Sequence, residues 1–212
     1  MKKSLVMLTV VSVAVFLSAG SVCAFDVPFY DQSFEIGGYW YGNYHRTAGL
    51  GAHDGAYVCA HNNGIANGDC WGPSGDGINN YTLEANTVYT VSAWYKKLAG
   101  HTNAGGFLEV RIGEAPTPFT TYAYTNQTAV DPITVDDVWA EVTVTVDTIA
   151  HPECVGEYFS CLLMQTWGGD ATNQMLWDDV TITGNVVPEP CSAVAFGSGL
   201  IGLVGFAIRR RK

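Results

Sequence analysis

Val138-Trp139-Ala140-Glu141-Val142-Thr143-Val144-Thr145-Val146 is the stretch that decides the fold. Strand side chains alternate between two faces. Val138, Ala140, Val142, Val144 and Val146 therefore share one side, and Trp139, Glu141, Thr143 and Thr145 share the other. Working outward, Thr87 to Lys96 is rich in Val, Tyr and Trp on both faces, as a covered central strand should be. Phe107 to Ile112, Tyr158 to Trp167 and Gln174 to Thr183 alternate again, the last with Leu176, Val180 and Ile182 in phase. Ser33 to Ile36 and Ala56 to Ala60 read as shorter strands. No segment shows a helical period, and Gly, Asn, Asp and Pro fill the gaps. About eight or nine such strands predict an all-β fold, an antiparallel β-sandwich of the jelly-roll kind. Long loops are expected at Ala60 to Gly77 and around Ala115 to Asp137.

The two ends of the chain follow other rules. Lys2 and Lys3 precede an apolar run from Leu5 to Leu17, and Val22-Cys23-Ala24 offers a cleavage site before Phe25. Residues 1-24 thus read as a signal peptide, with Cys23 discarded in it. After the domain at 25-184, a linker at 185-190 carries Pro188-Glu189-Pro190. Cys191 to Ile208 (191-208) holds no charge, and Arg209-Arg210-Arg211-Lys212 (209-212) closes the chain. An apolar helix of about 18 residues reaches about 27 Å, enough to cross a bilayer core as a transmembrane helix with a basic cytoplasmic end. In order and position these parts resemble the PEP-CTERM sorting tail of Gram-negative bacteria. That resemblance implies an exosortase as partner, a transient inner-membrane anchor, cleavage near the motif, and a final place at the cell surface or in the extracellular matrix. The two prolines hold Glu189 extended beside the membrane, within reach of such an enzyme. An ordinary C-terminal anchor is the alternative.

Charge narrows the partners. Between Phe25 and Gly184 only Arg46, Lys96, Lys97 and Arg111 stand against 19 of the chain's 20 acidic residues, a net charge of −15. Such a surface repels phosphate backbones, which excludes nucleic acid and leaves divalent cations or neutral glycans. Four cysteines remain in the domain, and an even count in an exported chain predicts disulfides. Sequence separation favours Cys59–Cys70 and Cys154–Cys161 among the three possible connectivities. Neither pair has zinc-site spacing, and Cys191 belongs to the tail.

A second resemblance runs through the domain. Gln32-Ser33-Phe34-Glu35, Ala52-His53-Asp54-Gly55-Ala56-Tyr57, Leu83 to Tyr95 and Leu176-Trp177-Asp178-Asp179-Val180 are similar, in order, to motifs of carbohydrate-binding jelly rolls with the galactose-binding-like fold. The resemblance implies a glycan-binding module and a structural calcium. On the alternation above, Asp178 falls among core residues, where a carboxylate needs a partner. Glu35, Asp54 and Asp178 are the expected calcium ligands. Trp40, Tyr41, Trp71 and Trp167 lie in or beside Gly-rich segments, and flat aromatic faces stack on the C–H faces of sugars. Catalytic signals are lacking. The five histidines form no metal-ligand pair, His53-Asp54 is not half a triad, and no nucleophile or phosphate motif occurs. The expectation is a non-enzymatic glycan binder. A structural or adhesive matrix component without a discrete ligand is the alternative, and a polysaccharide lyase or hydrolase comes third.

Overall fold

The structure is a computed structural model that describes residues 23–27, 32–37, 40–42, 44–61, 67–72, 81–101, 104–113, 122–130, 133–166 and 175–188. The chain divides into two compact units. One is Phe25–Gly184; the other joins Met1–Ala24 to Asn185–Lys212. Eleven strands are described: β1 Cys23–Asp26, β2 Tyr41–Gly42, β3 Tyr44–Ala48, β4 Tyr57–His61, β5 Asn67–Gly72, β6 Thr87–Lys97, β7 Gly106–Gly113, β8 Tyr122–Ala129, β9 Ala140–Asp147, β10 Tyr158–Thr166 and β11 Met175–Val186. A 3-10 turn, Pro152–Cys154, precedes β10.

Six strands form one sheet in the order β3-β4-β11-β6-β9, with β1 also on β11. The other sheet runs β2-β5-β10-β7-β8. The ladders β3–β4, β4–β11 and β6–β9 are antiparallel, as are all four of the five-stranded sheet. Both sheets feed one core. Tyr89, Val91, Ala93, Val142, Val144, Val146, Val180 and Ile182 meet Leu108, Val110, Ile112, Phe159 and Leu163. The valine alternation of β9 holds as read, except that Val138 lies before the strand and is exposed. On β8 the inward register positions opposite Val110 and Leu108 are Asn126 and Thr128. Their side chains donate to Thr145 O (2.9 Å) and Thr143 O (2.7 Å), tying β8 to the edge of the other sheet.

Several expectations change. Ser33 to Ile36 is no strand, since Phe34 has φ 59° and Arg46 donates to both Phe34 O and Glu35 O, curling this segment into turns and bends. β5 and β8 lie inside the two stretches expected as loops. Cys23 and Ala24 open β1.

The largest departure is in β11. Met175 and Trp177 face the main core, and so do Val180 and Ile182, which simple alternation forbids. Asp179, at φ 45°, is the extra residue of a β-bulge that resets the phase. Leu176 consequently packs on the opposite face, with Val58, Ala60, Leu50, Ala52, Leu98 and Trp139. Asp178 goes with that face and not with the main core.

Neither expected disulfide is present: Cys59, Cys154 and Cys161 are buried free thiols. Cys59 lies on β4 of one sheet and Cys70 on β5 of the other. Cys154 turns back onto Glu157, whose N–H donates to its carbonyl. The strand then carries Cys161 about 13 Å beyond Glu157. Burial pushes the Cys154 thiol up to about 11 and the Cys161 thiol to about 12.

Candidate functional site

The outward residues of the five-stranded sheet line up across the strands. On β7, Phe107, Glu109 and Arg111 alternate with the core residues Leu108, Val110 and Ile112; on β10, Ser160, Leu162 and Met164 alternate with Phe159, Cys161 and Leu163. Glu109 stands opposite Gln127 of β8 on one side and Leu162 of β10 on the other. Leu162 stands opposite Trp71 of β5, and Trp71 opposite Tyr41 of β2. The register thus draws one unbroken row through all five strands: Gln127, Glu109, Leu162, Trp71, Tyr41. At about 4.8 Å per strand, its four steps cover about 19 Å.

In the middle of this face sits an ion pair. Arg111 donates from Nε to Glu109 Oε1 (2.8 Å) and from Nη2 to Oε2 (3.0 Å). Residues two apart on a strand point the same way, so one strand supplies both halves of a two-pronged charge-assisted bond. Glu109 is only 8% exposed, while Gln127 and Thr125 beside the pair are open to solvent.

Of the four aromatics singled out from sequence, Tyr41 and Trp71 fall in this row and Trp167 lies outside the described residues. Trp40 is a core residue, 3% exposed and 4.8 Å from the Phe34 ring, so it is no glycan contact. Glu109, Arg111, Gln127 and Leu162 were missed. The signal was there, in charges alternating with Leu108, Val110 and Ile112 at period two.

The other sheet uses its outward polar groups to hold a loop. Asp178 is fully buried and accepts from the backbone N–H of His53 (2.7 Å), Asp54 (3.1 Å) and Asp179 (2.8 Å). Burial raises its pKa from 3.8 to about 6, against the lowering effect of those amides. Glu35 Oε1 accepts from Ala56 N (2.7 Å) and Tyr57 N (2.8 Å), and these bonds hold its pKa below the usual value. Gly55 has φ +65°, and any Cβ there would strike Glu35. Lys96 donates to Leu50 O (2.8 Å) and Gly51 O (2.7 Å), and burial lowers its pKa. Above them the His53 ring stacks on Trp94 at 3.9 Å, and His53 Nδ1 lies 3.3 Å from Asp179 Oδ2.

This donor set does not fit the expected calcium. A cation needs carboxylate oxygens turned towards one another, whereas Asp178 gives both oxygens and Glu35 its Oε1 to backbone N–H groups, and the Asp54 residue is exposed. Among the described residues no three Asp, Glu, His or Cys gather as metal ligands. Pro188 is exposed two residues past β11; Glu189, Pro190 and 191–212 lie outside the described residues. Among those described, no helix is long and apolar enough to cross a membrane.

No family model matches the sequence, and no curated protein does. Solved structures similar to it include a cyclase from Fischerella sp. TAU, 15% identical with a TM-score of 0.56, over 78% of this chain and 100% of that one. The arabinose-bound α-L-arabinofuranosidase MgGH51 matches at 8% identity and TM-score 0.52, over 78% of this chain but 27% of its own. The CBM22-1 xylan-binding domain of Paenibacillus barcinonensis Xyn10C matches at 16% and 0.49, over 80% and 99%. The first two likenesses show a shared β-sandwich fold.

Proposed function

We propose that this chain is an exported surface or matrix protein whose sandwich holds an extracellular glycan against the outer face of the five-stranded sheet. The row Gln127–Glu109–Leu162–Trp71–Tyr41 supports the reading. It sets two aromatic positions at one end and exposed hydrogen-bonding Gln127 at the other, with Leu162 fully buried between them. The role is binding rather than turnover. Glu109 is engaged by Arg111, and no second outward carboxylate lies across from it on β8 or β10. The test is a glycan array probed with the purified chain, with Trp71→Ala/Tyr41→Ala as control. Saturable binding lost in the double variant supports the site. A flat response across the array removes it.

The tail completes the reading. The Pro-Glu-Pro motif begins at exposed Pro188, two residues past β11 in sequence, and its two prolines suit it to a membrane-bound exosortase. Surface-released protein should lack Gly199 to Lys212. Mass spectrometry finding an intact C-terminus on it leaves only a membrane anchor.

A further inference from the structure

We infer that the glycan taken by this sheet is an uncharged one, an inference that rests on the binding reading above. Every permanent cation of Phe25–Gly184 is already committed within the protein. Arg46 donates to Phe34 O and Glu35 O, with its guanidinium 3.3 Å over the Tyr57 ring. Lys96 is held by Leu50 O and Gly51 O and lies 4.7 Å over Trp139. Lys97 pairs with Asp136 at 2.7 Å. Arg111, the one cation in the row's neighbourhood, is taken by both oxygens of Glu109.

Recognising a uronate or sulfate calls for a cation that can turn to the ligand, best of all a two-pronged arginine. Here Arg111 would have to leave Glu109, stranding a carboxylate that is nearly buried. A polyanion would also approach a body of net charge −15, and within about 8 Å of its surface that repulsion acts at physiological salt. Sugar hydroxyls need no free cation. They exchange bonds with the amide of Gln127 and the hydroxyl of Thr125, both exposed beside the ion pair.

Polymers that share a backbone and differ in charge test the inference: dextran against dextran sulfate, methyl-esterified against de-esterified homogalacturonan, hydroxyethyl cellulose against carboxymethyl cellulose. The full chain is used, in a detergent without a sugar headgroup, from about 0.02 to 0.5 M salt, with calcium and with chelator. At least one neutral polymer should bind, with its charged partner about tenfold weaker or worse at low salt and the gap narrowing as salt screens the repulsion. A charged polymer that binds as tightly as its neutral partner, or only when calcium is present, overturns the inference while leaving glycan binding in place. Failure of every polymer and of the glycan array removes the binding reading itself, and this inference with it.

Discussion

Replacing Asp178 by Asn tests how the loop at His53 and Asp54 is held. The carboxylate accepts three backbone N–H groups. Asn keeps one acceptor oxygen and turns an NH2 towards the remaining donors, leaving at least one buried N–H unpaired at about 1–3 kcal/mol. Against that loss, Asn removes a buried charge. The gap between 3.8 and about 6 for the Asp178 carboxyl corresponds to about 3 kcal/mol at about 1.4 kcal/mol per pH unit. The sign follows from where the proton sits. The folded state keeps it to higher pH than the unfolded state, so its stabilisation is fully present below about pH 4 and lost as pH rises through about 6. Asn does not titrate. The stability of the wild type relative to Asp178→Asn should therefore fall by about 2 kcal/mol from about pH 4.5 to 7.5. Urea unfolding followed by tryptophan fluorescence measures it, and the subtraction cancels carboxylates common to both proteins. A difference that stays constant across that range refutes a raised Asp178 carboxyl.

Trp40→Ala should cost about 3–5 kcal/mol of stability, because the ring is core beside Phe34; an unchanged urea midpoint would place it outside the core. Calcium and chelator should give the same melting midpoint, because Glu35 and Asp178 are already satisfied by amides. A clear rise accompanied by bound metal would show that both carboxylates turn away from the loop. Cys161 should resist thiol reagents in the folded chain and react on unfolding, since its thiol is buried and pushed up to about 12. Recovery of a Cys154–Cys161 peptide without reduction would contradict this.

Alternation made the strongest strands legible from sequence: β6, β7, β9 and β10 each carry a run of mostly apolar inner residues, whereas in β11 it found the strand but misplaced Leu176 and Asp178. It failed on β5 and β8. β5 spells Asn-Gly-Asp-Cys-Trp-Gly, and β8 fills inner positions with Asn126 and Thr128, whose polarity is satisfied by the β9 backbone. Partners contributed by another strand are invisible to a reading that takes one strand at a time. The candidate site suffered likewise. Tyr41 and Trp71 were chosen for their Gly-rich setting, but their alignment with Leu162, Glu109 and Gln127 is a property of register, which depends on four ladders at once. Trp40 was chosen on the same local grounds and belongs to the core.

The bulge at Asp179 makes β11 behave like a message with one inserted letter. Delete one aspartate of the pair and the strand becomes regular: Met175, Trp177, Val180 and Ile182 still share a face, and Leu176 and the remaining aspartate keep theirs. Delete Thr181 instead, and everything after it slips out of frame, sending Ile182 outward and Thr183 into the core. Of single deletions in this strand, those in the Asp178-Asp179 pair are the ones the sandwich is built to absorb. The loss is then confined to the kink that brings Asp179 within reach of His53.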